Sequence, residues 1–292
     1  MTQSKLIEKT IFLTGASLLS FFSLVVTAED KKPSRPFILL TNDDGIDAEG
    51  LKALREEMEK VGDVLVVAPT KDWSGGSQLV AVKDRVRVKV LTSEAPATAR
   101  GKAMYAVDGS PATCVLLATE HFAEGRRFDL VVSGINSGEN VGLDIPISGT
   151  VGAARMAADL GIPALALSVP HGSKEFRAAA EFSTKLVNEV LKKGLDPGLI
   201  LNVNFPRGPP SEWKPPLLTQ PGGRGFTLTY KRQEATGEEL VFEPHLELCK
   251  DPRPERSDSL ALTKGNVIVT PLGAITANTE AWKKLEGWGF FR

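Results

Sequence analysis

The chain has 292 residues, 42% of them hydrophobic, enough to bury a sizeable core as one large domain or as one domain with an extension. Lys and Arg total 35 against 36 Asp and Glu, so no surplus of positive charge is available to condense onto a nucleic-acid polymer, and a dedicated binder of that class is excluded. With three His, two Cys and no Cys/His cluster at ligand spacing, a structural zinc site and a disulfide framework are excluded as well.

The first residues have lysines at 5 and 9, an apolar stretch from about Ile11 to Val26, and small residues ending at Ala28. This is the anatomy of a secretory signal peptide, expected over residues 1–28 and followed by a polar linker over 29–36. An uncleaved anchor or a buried N-terminal helix are the other readings of the same stretch. Cleavage predicts a periplasmic or secreted protein with no stable membrane insertion, whereas a leader that is not functional would leave the protein in the cytoplasm.

From Phe37 the chain alternates short aliphatic runs with longer amphipathic segments, the pattern of strands joined by crossover helices. Strands are predicted at FILLTN (37–42), DVLVVAP (63–69), DLVVSGI (129–135), PALALSV (163–169) and LILNVNF (199–205). Their continuous apolar character is that of parallel strands covered on both faces. Helices are predicted over 48–62, 110–125, 150–161 and 175–194. DRVRVKVL and KAMYAVDG have period-two character and predict an antiparallel pair near a sheet edge. Cys114, within CVLLA, is expected as a buried thiol, although a disulfide with Cys249 is compatible with an oxidising compartment. The fold class expected for residues 37–205 is α/β, a Rossmann-like three-layer sandwich with a mostly parallel sheet.

Residues 206–292 depart from the alternation. PRGPPSEWKPP breaks regular structure, and FTLTYKRQEATGEELVFEPHLEL predicts a long projecting hairpin suited to contact another subunit. GNVIVTPL then predicts a returning strand, and EAWKKLE a C-terminal helix.

The stretch ILLTNDDG places Asp43 and Asp44 where the first strand ends, which in an open parallel sheet is where ligands bind. Adjacent carboxylates repel, and their burial is unfavourable by several kcal/mol unless something cationic compensates (order of magnitude). A divalent metal would do so, while the plainer reading makes one of the pair a helix cap. Two further strand ends carry oxygen-bearing side chains. The loop TKDWSGGSQ offers Ser74 and Ser77 beside two glycines, and Asn136 precedes a long glycine-rich stretch that opens a helix at SGTVGAA. Ser148-Gly149-Thr150 at a helix N-terminus suits an anion, because free N–H groups and the helix dipole face it. Carboxylate, hydroxyl and amide oxygens suit hard cations such as Mg²⁺ or Mn²⁺, so the chemistry indicated is phosphate-ester hydrolysis.

Together, ILLTNDDGIDAEGL, VVAPTKDWSGGSQ, VDGSPATCVLLA, DLVVSGINSGENVGLDIPISGTVGAA, LNVNFP and SDSLALTKGNVIVTPL resemble the survival protein SurE family of 5′/3′-nucleotidases, in the family's order from about Phe37 to Leu272. The resemblance implies that Asp43, Asp44, Ser74 and Asn136 hold one divalent cation per subunit. It implies that Asn140 and the Ser148-Gly149-Thr150 turn hold the phosphate, and that nucleoside monophosphates are hydrolysed to nucleoside and phosphate. It also implies a swapped C-terminal region and a homodimer or homotetramer. Asp43 is the expected metal-bridging carboxylate that also orients the attacking water, with Asp44 fixing the coordination geometry. The chain departs from the family's pattern at Trp73, where a charged residue is common, at Thr70, where an acidic one is usual, and in its N-terminal extension.

Other readings share parts of this pattern. An acid phosphatase acting on non-nucleotide esters would use the same site with different pocket walls, and a non-catalytic nucleotide- or phosphate-binding protein would keep the site without turnover. A receiver domain also opens with a strand ending in two acidic residues. That reading needs an acceptor aspartate and a lysine at later strand ends, where LVVSGIN offers asparagine and LALSVPHG no lysine.

Overall fold

The computed structural model describes residues 35–83, 85–91, 104–223, 226–233, 239–249 and 255–273. The chain divides into two units, Met1–Pro33 and Ser34–Arg292. The expected leader, the tip of the hairpin and the expected C-terminal helix EAWKKLE lie outside the described residues.

A nine-stranded sheet is formed by β1 (Phe37–Thr41), β2 (Asp63–Pro69), β3 (Val88–Val90), β4 (Met104–Val107), β5 (Leu130–Ser137), β6 (Ala164–Val169), β7 (Leu199–Asn204), β8 (Lys214–Leu218) and β11 (Asn266–Gly273), in the order β3-β4-β2-β1-β5-β6-β7-β11-β8. The six strands from β4 to β7 in that order are mutually parallel, as the unbroken apolar runs of five of them predict; β4, read for its period-two character, joins them by pairing with β2. β3 runs antiparallel to β4 at one edge, as expected, and β11 runs antiparallel to β7. β9 (Phe226–Gln233) and β10 (Val241–Leu248) form the predicted hairpin as a separate two-stranded sheet.

Alternate residues of each strand feed opposite faces, so one sheet organises two cores. Ile38, Leu40, Val64, Val66, Leu130 and Val132 pack with Leu51, Leu54 and Met58 of α1 (Glu49–Val61) and with Ala179, Val187 and Val190 of α4 (Phe176–Lys193). Phe37, Leu39, Leu65, Val67 and Val131 pack with Cys114 and Val115 of α2 (Pro111–Leu117) and with Val151, Ala154 and Ala158 of α3 (Gly149–Asp159). Each fully buried Ile, Leu or Val contributes roughly 1.5–3 kcal/mol. The buried spacing 51, 54, 58 on α1 is the helical stripe that its sequence shows.

Two local expectations are corrected. The helix predicted over 110–125 ends at Leu117 and continues as a π-helical turn over Ala118–Phe122. KPPLL, read as a break, is β8, whose five residues are all exposed, and prolines are tolerated there because the strand lies at a sheet edge. SDSLALT forms a short helix, α5 (Asp258–Thr263), that precedes β11. Cys114 and Cys249 are both buried, and no disulfide joins them. Among the described residues no helix is long and apolar enough to cross a membrane.

The order β4-β2-β1-β5-β6-β7 contains one reversal. From β1 the chain works outward through β2 to β4, then returns to lay β5 on the other side of β1. The switch point lies between the carboxyl ends of β1 and β5, where a doubly wound sheet opens a crevice for ligands.

Candidate active site

Asp43 and Asp44 follow β1, and Asn136 lies near the end of β5, so both lips of the crevice carry residues predicted for the site. The pairing of β5 with β6 loses register between Ser133 and Asn136, an irregularity that re-aims a strand's last residues. Asn136 donates its amide nitrogen to the Gly138 carbonyl at 2.7 Å, so what it has to offer a cation is its side-chain oxygen. The next backbone N–H, that of Ser137, donates to Asp44 Oδ2 at 3.1 Å. The two strand ends are therefore bonded to each other at the residues in question.

The loop after β2 is tied to the same place. Trp73 N–H donates to the Asp43 carbonyl at 2.8 Å, which sets the adjacent, exposed Ser74 beside the doublet. Ser74 N–H in turn donates to Asp72 Oδ1 at 2.6 Å. Gly149 fits between these two partners: a Cβ there would lie 2.8 Å from Asp43 Cβ and 3.2 Å from the Trp73 carbonyl oxygen, so only glycine lets α3 approach this closely. The Lys71 ammonium lies 5.4 Å from the centroid of the Trp73 ring, which holds a cation over the indole.

The N-terminus of α3 departs from expectation. Thr150 donates its backbone N–H to Asp43 Oδ2 at 3.0 Å and its hydroxyl to Asp43 Oδ1 at 2.5 Å. Val151 N–H is capped by Ser148 Oγ at 3.1 Å, and Gly152 N–H donates to the Ser148 carbonyl at 3.0 Å. Thr150 and Ser148, predicted to hold phosphate, thus spend these groups on Asp43 and on the helix itself, because a carboxylate already occupies the site where the dipole attracts an anion. Gly149 N–H remains as the first-turn donor with no partner among the described residues.

Asn140 is buried in a network of its own. Its N–H donates to Asn204 Oδ1 at 2.8 Å, its carbonyl accepts from Asn202 Nδ2 at 2.8 Å and from Asn204 Nδ2 at 3.0 Å, and its side-chain Nδ2 donates to Ser168 Oγ at 2.8 Å. Asn202, Asn204 and Ser168 were missed by the site reading of the sequence. The signal available was two asparagines, LNVN, at alternate positions of a strand that is otherwise apolar.

Electrostatically, no lysine or arginine among the described residues compensates the doublet. Burial pushes the Asp43 carboxyl up to about 6; the Thr150 hydroxyl opposes the rise and the charge of Asp44 adds to it. No lysine or arginine is among the groups acting on Asp43. Half-buried Asp44 is raised by burial, against the Ser137 N–H; Asp72 adds to the rise and His171 opposes it. Among the described residues no three of His, Cys, Asp and Glu are grouped to hold a metal. The oxygens carried by Asp43, Asp44, Ser74 and Asn136 on these tied strand ends are two carboxylates, a hydroxyl and an amide, donor types that suit a hard cation and not a soft one.

This chain matches the family model described as Survival protein SurE over residues 38–227. A 5′-nucleotidase SurE from Geotalea daltonii is 37% identical over 258 residues, covering 87% of this chain and 99% of the relative. One from Moorella thermoacetica is 38% identical over 237 residues, covering 80% and 89%. The crystal structure of the SurE protein from Aquifex aeolicus superposes with a TM-score of 0.75 at 32% identity, covering 87% of this chain and all of that one. The switch-point crevice, the acidic doublet and these matches place the chain in the survival protein SurE family.

Proposed function

We propose that the protein is a phosphomonoesterase that hydrolyses nucleoside 5′- or 3′-monophosphates to nucleoside and phosphate, with one divalent cation, Mg²⁺ or Mn²⁺, held by Asp43, Asp44, Ser74 and Asn136. The observation that carries this reading is a buried carboxylate seated at a helix N-terminus with no cationic partner among the described residues. A phosphate approaching Gly149 N–H meets that negative charge and is repelled unless a cation offsets it. The curated relatives named 5′-nucleotidase supply the substrate class.

In this reading Thr150 fixes the rotamer of Asp43 through two bonds, and Ser137 N–H fixes Asp44, so both carboxylates are aimed before substrate arrives. Asn140 and Gly149 N–H would hold equatorial phosphoryl oxygens, Ser148 would keep the first turn of α3 in place, and Asp43 would orient the attacking water. A divalent cation, when bound, polarises a phosphoryl oxygen and acidifies water.

The test is release of inorganic phosphate from a panel of 5′- and 3′-nucleoside monophosphates, sugar phosphates and short polyphosphate, with EDTA and with Mg²⁺ or Mn²⁺ restored. Release from nucleotides that EDTA abolishes and cation restores is the expected result. Turnover only of non-nucleotide esters would make the protein an acid phosphatase of another scope, and binding without release would make it a phosphate binder.

We further propose export through the N-terminal leader, checked by mass spectrometry of the mature N-terminus, and self-association through the hairpin as a homodimer or homotetramer. The hairpin supports the latter by exposing Leu228, Tyr230, Val241, Phe242 and Leu246. Light scattering of the purified protein reads the assembly, and a monomer at micromolar concentration would overturn it.

A further inference from the structure

We infer that Asp258 is a positioning residue for the site loop 138–147, and that through it both stems of the β9–β10 hairpin are fastened to that loop. The inference rests on the phosphate-holding role proposed for the loop, which carries Asn140.

Asp258 is the first residue of α5 and is fully buried. Its carboxylate accepts from three backbone N–H groups that belong to three stretches of chain: Gly142 at 2.8 Å in the site loop, Gly222 at 3.0 Å just before the hairpin, and Ser259 at 2.7 Å in α5, the helix that follows the hairpin in the chain. Gly142 and Asp258 are 116 residues apart in sequence. A buried carboxylate with three N–H partners is a rigid junction, because releasing any one partner strands an unpaired group out of reach of water.

The surrounding contacts point the same way. Leu143 N–H donates to the Gly223 carbonyl at 2.9 Å, so the residue after Gly142 is bonded to the hairpin stem as well. Gly142 has φ +50°, and a Cβ on it would fall 1.9 Å from the Gly223 oxygen, which shows how closely stem and loop are pressed together. The stems are joined to each other: Asp258 N–H donates to the Gln220 carbonyl at 2.8 Å, and the Ser259 hydroxyl donates to the Gly222 carbonyl. Beneath them Val141 of the loop packs with Ala261, Leu262 and Ile268. Asn140 is held on one side by Asn202 and Asn204, and two residues on Gly142 is held by Asp258, so the intervening backbone is pinned at both ends. A displacement of either stem is thereby delivered to the residues beside Asn140.

The experiment compares the full-length wild type with Asp258→Asn, Ser259→Ala and, as a buried-polar control remote from the loop, Ser183→Ala, whose hydroxyl bonds only within α4. Hydrogen exchange followed by mass spectrometry is read on peptides spanning 138–147, the hairpin stems, β1 and β6. Asp258→Asn is expected to speed exchange in 138–147 and in the stems while β1 and β6 stay protected. It is also expected to lower kcat/KM for a nucleoside monophosphate about tenfold, mostly through KM. Ser259→Ala should produce a smaller change of the same kind, and Ser183→Ala should lower Tm with neither signature. Unchanged exchange of 138–147 in a folded Asp258→Asn protein overturns the inference, as does a rise spread evenly over the chain. Should Asp258→Asn not fold, unchanged exchange of the loop in Ser259→Ala overturns it. Exchange needs no substrate, so a wild type that releases no phosphate would sink the nucleotidase reading alone and leave exchange to decide this one.

Discussion

Asp43 and Asp258 are both buried carboxylates that accept N–H groups from the first turn of a helix, α3 in one case and α5 in the other. Their surroundings differ in two respects. Asp258 is shared among three backbone segments, with no acidic group among those acting on it, whereas Asp43 is bonded by the N–H and hydroxyl of Thr150 and sits against the charge of Asp44. Burial lifts the carboxyl of Asp258, and the N–H groups of Gly142, Gly222 and Ser259 pull it back. Burial lifts Asp43 too, but there a second carboxylate pushes in the same direction. Burial of charge is thus common to a structural junction and to a site of chemistry, and it is the neighbours that separate the two.

The largest effect that would test this contrast is on turnover. Asp43→Asn is expected to lower cation-dependent phosphate release by about a thousandfold or more, far beyond the loss at Asp258. Full activity in Asp43→Asn would remove the distinction.

Stability should show the reverse order. In EDTA at pH 7, Asp43→Asn is expected to raise Tm, because it removes a charge that folding disfavours. The sign follows from an acid whose folded value, about 6, lies above its ordinary 3.8. Below pH 3.8 both states are protonated and Asp43 contributes nothing. Between 3.8 and about 6 the unfolded chain ionises first and stability declines, and above about 6 the deficit levels off at up to about 3 kcal/mol. The gain from Asp43→Asn should accordingly be present at pH 7, absent at pH 3.5, and erased at pH 7 by saturating Mn²⁺. An equal gain at both pH values would mean that the charge is not its source. Asp258→Asn should instead lower stability by about 1–3 kcal/mol at pH 7, since it leaves buried N–H groups facing an amide that cannot accept them all.

The smallest effect concerns a third buried titratable group. Cys114 is fully buried and burial pushes its thiol well up, and no acid or base is among the described groups acting on it. Burial without a reactive neighbour predicts inertness, so native protein at pH 8 should resist iodoacetamide at Cys114 over hours and react there only on unfolding. Rapid native alkylation of Cys114 would count against using neighbours as the criterion.

How much of this was legible in the sequence follows the range of the interactions. The strands FILLT, DVLVVAP and ALALSV announce themselves because each buries both faces, and the doublet is conspicuous because charge at the end of such a run needs a reason. Asp258 sits in SDSLAL, where a serine cap and one acidic residue look like any helix start, and its decisive partner lies 116 residues away. Thr150 was read as holding phosphate, and no local pattern could say that its N–H and hydroxyl would bond Asp43. β8 was hidden for a different reason: Pro215 and Pro216 mark a break by every local rule, and only its place at the rim of the sheet makes them acceptable.

Those two prolines also decide what the rim can recruit. A strand seeking to extend the sheet beyond β8 would look for a row of amide hydrogens, and at two of the five positions there are none to offer. Backbone-led stacking of one molecule's sheet on another's is thereby discouraged along that border. Along this border the sheet therefore stays finite, and any contact made there would rest on side chains such as Leu217 and Leu218.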